Sequence, residues 1–167
     1  MIKNNTYNTT KSTSGNRLFP VSNLKKIDDE ILKDILQKDF PLLFKEDSVT
    51  DSLTCRIYCR SGWNILIYEL SEALNDIAVD FQKIYPDSKI KVNHIKEKFG
   101  RLSYSANVNG LPKNLKEMII LFIKNKAEAS KSLCEICGES GFVREDLRWV
   151  KSLCGSHYRE FLLNNRE

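Results

Sequence analysis

The sequence lacks any apolar run long enough to cross a membrane. Its longest, MIILFI at 118–123, falls far short of the roughly 20 residues that a helical span needs. The N-terminal MIKNNTYNTTKSTSGN lacks the apolar stretch of a secretion signal. The five cysteines are odd in number and fit a reducing compartment better than a disulfide scaffold. These absences predict a cytoplasmic protein with no membrane partner.

Apolar side chains are also scarce in residues 1–17, which are rich in Asn, Thr, Ser and Lys. Such a segment cannot offset the entropy cost of ordering its backbone, so we predict a disordered tail there. Acidic residues are missing from 1–27, whereas 83–101 holds six Lys and Arg against two acids. Residues 131–167 hold six of each. Positive charge is therefore concentrated in the tail and in 83–101, and the cysteine-rich end is neutral.

Three segments beyond the tail have the spacing of amphipathic helices. The first begins behind Ser22 or Asn23 as N-cap and is followed by FPLLF (40–44), which we expect to pack as an apolar anchor. The second runs from about 63 to 85, and the third from about 112 to 130. The predicted apolar positions of the first are Leu24, Ile27, Ile31, Ile35 and Leu36. Those of the second are Trp63, Leu66, Leu70, Leu74, Ile77, Phe81 and Ile84.

Two segments between the second and third helices alternate with the period of a β-strand. In KIKVNHIK (89–96), the alternation places Ile90, Val92 and His94 on one face. RLSYSANV (101–108) alternates in the same way, and the intervening EKFG predicts a turn in which Gly100 takes a positive φ. The predicted fold is therefore α+β, with helices packed on a β-hairpin or a small antiparallel sheet in a core that spans 18–131.

The C-terminal segment has the spacing of a zinc site. Cys134 and Cys137 form one pair, and Cys154 and His157 form a second pair sixteen residues later. Gly138 follows the first pair where a tight turn needs a residue without a Cβ. A short hairpin around Gly141 and a helix after the second pair would complete a treble-clef-like zinc finger. We predict one structural Zn²⁺ in a subdomain, 132–167, that is integrated with the core.

Other chemistries fit this segment less well. Four protein ligands close a tetrahedral site, whereas catalytic zinc keeps a position open. A thioredoxin-like pair would need a preceding βαβ unit, and a His-Me nuclease would need a histidine that residues 138–153 do not contain. Cys55 and Cys59 are four apart and could share a helical face as small buried side chains. We assign no catalytic residue.

The predicted hairpin tip is the candidate contact surface. Lys96, Lys98 and Arg101 surround Phe99, a combination that can hold phosphates and stack a base. The simpler interpretation is a solvated turn with Phe99 tucked inward.

Three segments together resemble a family of small uncharacterised proteins from bacterial genomes, phages and prophages. They are CRSGW (59–63), IKEKFGRLSYS (95–105) and the stretch from CEICGESG to LCGSH, and they span roughly 55–157. Arg60 and Ser61 depart from the small and acidic residues that the family tends to have there. The resemblance implies a bacterial or mobile-element setting and a single integrated domain. It brings no established activity, so it supplies no catalytic residues.

Three functions remain open at this point. The first is a non-enzymatic, zinc-stabilised protein that binds a host or defence protein, because the metal site is closed and the finger is neutral. The second is a nucleic-acid binder that uses 83–101. The third is an enzyme, for which His94 and Glu97 would have to meet near Cys59 or Tyr104.

Overall fold

The computed structural model describes residues 21–44 and 55–164, so the predicted disordered tail (1–17) lies outside the described residues. The described helices and strands, in chain order, are α1 (Asp29–Asp39), α2 (Pro41–Phe44), β1 (Arg56–Tyr58), α3 (Asn64–Ile84), β2 (Lys89–Glu97), β3 (Leu102–Asn109), α4 (Lys113–Glu128), β4 (Phe142–Arg144), β5 (Lys151–Leu153) and α5 (Gly155–Asn164). Short 3₁₀ turns span Val21–Lys26, Ser61–Trp63 and Ala129–Ser132. The predicted α+β class is confirmed.

The larger sheet has the order β1-β2-β3, and it is mixed. β2 and β3 form the predicted antiparallel hairpin, but β1 pairs with β2 in parallel. The predicted β-hairpin is therefore confirmed, and β1 extends it to a small mixed sheet instead of the antiparallel sheet that was the alternative. β1 has only three residues, too few for an alternating pattern to show in the sequence.

α3 lies across the core, and its predicted bounds are confirmed to within one residue. Trp63, Leu70 and Leu74 are buried, and the hydroxyls of Ser71 and Tyr104 lie 2.9 Å apart, which connects α3 to β3. Ile84 is 70% exposed, because the apolar stripe continues one turn beyond the sheet that it covers. At about 30 Å, a helix of this length reaches from one end of the core to the other.

The first helix begins later than the sequence predicted. Its N-cap is Asp28, whose carboxylate accepts a hydrogen bond from the Ile31 amide at 2.9 Å, and not Ser22 or Asn23. A 3₁₀ turn over Val21–Lys26 precedes α1. The apolar positions before and after Asp28 therefore do not form one continuous helical face. Leu32 and Leu36 are consequently buried, whereas Ile31 is 47% exposed. The apolar anchor over 40–44 is confirmed, with Phe40, Leu43 and Phe44 buried.

A β-bulge shifts the register of β2 between Val92 and His94. Because one extra residue reverses the alternation, Ile95 takes the buried place that His94 was predicted to occupy. His94 lies half-exposed on the opposite face. None of the helices in the described ranges is both long enough and apolar enough to cross a bilayer.

Candidate metal centre

The structure brings the four predicted metal-ligating residues together. The sulfurs of Cys134, Cys137 and Cys154 and a ring nitrogen of His157 all lie within 4.8 Å of one another. Cys134 is fully buried, and the other three are half-buried. Residues separated by up to 23 positions in the chain thus converge on one point. This set could hold a metal ion.

The separations fit a tetrahedral zinc ion. Bond lengths of about 2.3 Å to sulfur and about 2.0–2.1 Å to nitrogen imply about 3.8 Å between two sulfur ligands and about 3.5 Å between sulfur and nitrogen. The sulfurs of Cys137 and Cys154 lie 3.9 Å apart. The His157 Nδ1 atom lies 3.5 Å from the Cys134 sulfur and 3.2 Å from the Cys154 sulfur. The residues present therefore match the size of the ion, with Nδ1 as the nitrogen ligand.

Two local structures position the ligands. The first pair lies on a tight turn in which the Gly138 amide donates to the Cys134 carbonyl at 2.8 Å, and Gly138 has φ +74° as predicted. Cys154 directly precedes α5, and His157 lies in the first turn of that helix. β4 and β5 pair antiparallel between the two pairs, with residues 145–150 as their connection. The hairpin is therefore not centred on Gly141, as predicted, but begins directly after it.

The electrostatic surroundings differ between the thiols. A hydrogen bond from the His157 backbone amide lowers the pKa of Cys154 to about 6, which favours the thiolate that binds metal. Partial burial raises the pKa of Cys137 to about 11. Zinc deprotonates a coordinating thiol outright, so the Cys137 proton would leave as the ion binds.

The turn between Cys134 and Cys137 packs directly against the start of α3. The Gly62 amide donates to the Glu135 carbonyl at 2.9 Å, and the Trp63 indole donates to the Leu133 carbonyl at 3.2 Å. A Cβ on Gly62 would lie 2.6 Å from the Glu135 carbonyl oxygen and still closer to that of Cys134. Only glycine fits there. Gly62 lies in CRSGW, one of the segments that carried the resemblance, but no local pattern in the sequence indicates this close approach.

Glu135 lies in the same turn and is 2% exposed. Its Oε1 atom accepts a hydrogen bond from Lys151 at 2.8 Å, and its backbone amide donates to the Ser152 carbonyl at 2.8 Å. The other carboxylate oxygen, Oε2, has no partner among the described residues. Loss of this ion pair would leave a buried, unpaired carboxylate, which is costly. The pair with Lys151 therefore stabilises the contact between the turn and β5. Sequence reasoning counted Glu135 only as one of the acids that make this end neutral.

The hairpin tip exposes Phe99 and does not tuck it inward. The side chain is 70% exposed, and φ is +53° at Phe99 and +71° at Gly100. Lys98 and Arg101 exchange backbone hydrogen bonds around these two residues, which makes a two-residue hairpin loop of the type that requires positive φ at both positions. For a residue with a Cβ, this conformation costs about 1–2 kcal/mol. Folding alone would favour asparagine or glycine at position 99.

The other candidate residues are separated. Lys96 is exposed on β2, whereas Lys98 and Arg101 line a groove of about 450 Å³ between the hairpin and α4. His94 and Glu97 lie on opposite faces of β2, so the pair considered for an enzyme does not form. Cys55 and Cys59 flank β1 and share no helix, and burial raises the pKa of each to about 12.

Comparison with known proteins found no matching family model, no matching curated protein and no matching solved structure. The family resemblance of the three segments therefore stays a prediction.

Proposed function

We propose that the protein is a zinc-stabilised binding protein without catalytic activity, which acts by contact with another protein. The observation that carries the proposal is a closed set of four ligands in the same C-terminal unit as two exposed aromatic rings. Phe142 is 66% exposed and Trp149 is 71% exposed, and both belong to the C-terminal unit, residues 133–164, which contains the metal-binding set.

The C-terminal unit supports a structural role for the ion. Its own buried hydrophobic cluster contains Cys134, Leu147 and Leu153. So small a cluster cannot offset the entropy of ordering some thirty residues, and a structural zinc site supplies folding free energy directly. A ligand-bearing turn, a hairpin and a ligand-bearing helix follow one another in this unit, and this order supports the treble-clef zinc finger that we propose as its fold.

The exposed rings support a protein partner. The Arg144 guanidinium lies between the rings of Phe142 and Tyr158, 5.7 Å and 4.3 Å from their centres, and the Tyr158 hydroxyl donates to Asp146. A cation–π contact of this kind favours one orientation of the Phe142 ring, which would lower the entropy cost of association. Exposed aromatic side chains on a rigid support are typical of protein-binding hot spots. In the bacterial or phage cytoplasm that the resemblance implies, the partner would be a host or defence protein.

Site-specific photocrosslinking tests the protein contact. A benzophenone amino acid replaces Trp149 in one variant and Ile84 in the other, both expressed in bacterial cells. Ile84 is the matched control, because it is 70% exposed but lies at the far end of α3. We expect a discrete protein adduct from position 149 and none from position 84. Equal labelling at the two positions, or no adduct at 149, would contradict the proposal. Zinc analysis of the purified chain tests the metal separately, with one ion per chain expected.

A further inference from the structure

The outer face of the three-stranded sheet, opposite the buried side chains, is basic. Strand alternation places on this outer sheet face Arg56, Tyr58, Lys89, Lys91, His94 and Lys96. β3 contributes serines and asparagines to it. No acidic side chain lies on this face among the described residues, because Glu97 points to the other side and accepts a hydrogen bond from the Gly100 amide at 2.7 Å. A surface of this composition attracts a polyanion.

The centre of the face combines an aromatic ring with an ammonium group. Tyr58, which is 62% exposed, stands opposite Lys96 in the parallel pair, and Lys96 stands opposite Ser103 in the antiparallel pair. Neighbouring strands lie about 4.8 Å apart, so the ring, the ammonium group and the hydroxyl form one row across the sheet. A base can stack on the ring while the adjoining phosphate contacts the ammonium group.

The charged side chains differ between the two edges of the sheet. At the β1 edge, Arg56 and Tyr58 line a shallow pocket together with the acids Asp29 and Glu30 and the base Lys33. At the β3 edge, the groove of about 450 Å³ is lined by Lys98, Arg101 and Lys124. Within that groove, Glu128 accepts from Arg101 at 3.4 Å and from Lys131 at 2.5 Å. Lys98 and Lys124 have no carboxylate partner among the described residues. Ser103 pairs with Lys96 and also lines the groove, so it joins the basic face to Lys98 and Lys124.

We infer that the outer sheet face and the adjoining groove bind single-stranded nucleic acid, with a base stacked on Tyr58 and phosphates at Arg56, Lys96, Lys98 and Lys124. The ring of Tyr58 can stack only on a base that is not already stacked within a duplex. The path across three strands and the groove accommodates about four nucleotides. The residues of this site do not include Phe142 or Trp149, the rings proposed for the protein contact.

Fluorescence anisotropy with the zinc-loaded full chain tests the inference. The probes are fluorescein-labelled 12-mers of dT and of U, and a 12-base-pair duplex of mixed sequence, titrated between about 50 and 200 mM salt. We expect micromolar binding of the single strands. The log–log salt slope should be near −3, since each phosphate contact on a single strand contributes about −0.7.

Matched variants locate the site. R56Q/K96Q should reduce the steepness of the salt slope by about 1.4 and weaken binding at least tenfold. K113Q/K126Q removes the same charge from exposed positions of α4 outside the groove and should change affinity by less than about threefold. Y58A should weaken binding about tenfold, whereas Y58F should keep it, because stacking requires the ring and not the hydroxyl.

Three results would overturn the inference. They are no binding of single strands at low salt, equal weakening by the two double variants, and duplex binding as tight as single-strand binding. Thermal melting of each variant confirms that the fold is retained. The outcome is independent of the proposed protein contact, because that contact is tested at Trp149, outside the sheet.

Discussion

The core and the C-terminal unit reach a folded state by different means. In the described residues, the core cluster contains 24 buried hydrophobic residues, whereas the cluster in the C-terminal unit contains three, one of which is the metal-ligating Cys134. Burying a full aliphatic or aromatic side chain contributes about 1.5–3 kcal/mol, so the core has a large gross stabilisation that the C-terminal unit lacks. With a metal ion bound, the four ligands would take the place of a hydrophobic core in the smaller region.

The two regions are nonetheless in direct contact. The 3₁₀ turn directly before α3 donates one hydrogen bond to the turn between Cys134 and Cys137 and one to the Leu133 carbonyl just before that turn. At the hairpin tip, a Cβ added to Gly100 would lie 3.1 Å from the side chains of Val143 and Val150. The core therefore supplies one wall of the C-terminal unit. In the proposed zinc-bound protein, the ion would fix the ligand-bearing turn and helix to each other, and the close approach at Gly62 fixes that turn against the core.

Removal of the metal should have the largest effect. Structural zinc sites contribute about 10–16 kcal/mol of apparent free energy in isolated fingers, which is more than the C-terminal unit can replace. We expect that C154S, or chelation of the native protein, lets the amides of 133–164 exchange rapidly while those of α3 stay protected. Hydrogen exchange followed by mass spectrometry measures both regions at once.

Cys59→Ser is the control for this experiment, because Cys59 is half-buried and lies outside the metal-binding set. It should keep both the ion and the protection of 133–164. Loss of protection in α3 to the same extent as in the C-terminal unit would show that the two regions unfold as one, and the comparison above would fail.

Gly62→Ala should have the next largest effect, because it breaks the contact between the regions. The added Cβ meets the backbone carbonyls of Cys134 and Glu135, neither of which can move without displacing the metal-ligating turn. We expect a loss of about 3 kcal/mol in the free energy of unfolding and a weaker affinity for zinc. Urea unfolding and competition with a chromophoric chelator measure the two quantities.

Gly155→Ala is the matched substitution for that measurement. A Cβ on Gly155 has no atom within 4 Å, and the residue begins α5, so alanine should be neutral or stabilise by up to about 1 kcal/mol. Similar losses in the two variants would mean that the close approach at Gly62 is not what holds the regions together.

Regular patterns made the long elements predictable from sequence. α3, the β2–β3 hairpin and α4 each extend over enough residues for their periodicity to show, and the structure confirms them. The four members of the candidate metal site were predicted in the same way, because a ligand pair on one turn requires short, fixed spacing. In each case, residues close together in the sequence were enough to predict the feature.

Features set by a single residue or by distant contacts were not predictable. The bulge at Asn93 reverses the face on which His94 lies, and no local signal in KIKVNHIK marks it. The three residues of β1 form a strand through their parallel pairing with β2, and this pairing brings Tyr58 beside Lys96. The burial of Glu135 depends on Lys151 and on the approach of Gly62, which follow from packing and not from spacing.

Phe99→Asn should produce the smallest effect and the opposite sign. Phe99 is 70% exposed, so its removal forfeits little burial, while asparagine tolerates the positive φ that the turn imposes. We expect the free energy of unfolding to rise by about 1 kcal/mol, measured by the urea midpoint at constant slope. Gly100→Ala at the adjoining position should destabilise, because it adds a Cβ at φ +71° and 3.1 Å from Val143 and Val150. A loss of stability in Phe99→Asn would mean that the ring holds the tip by packing. A gain would mean that the chain keeps an exposed ring at a cost to its own folding, at the point where the hairpin meets the C-terminal unit.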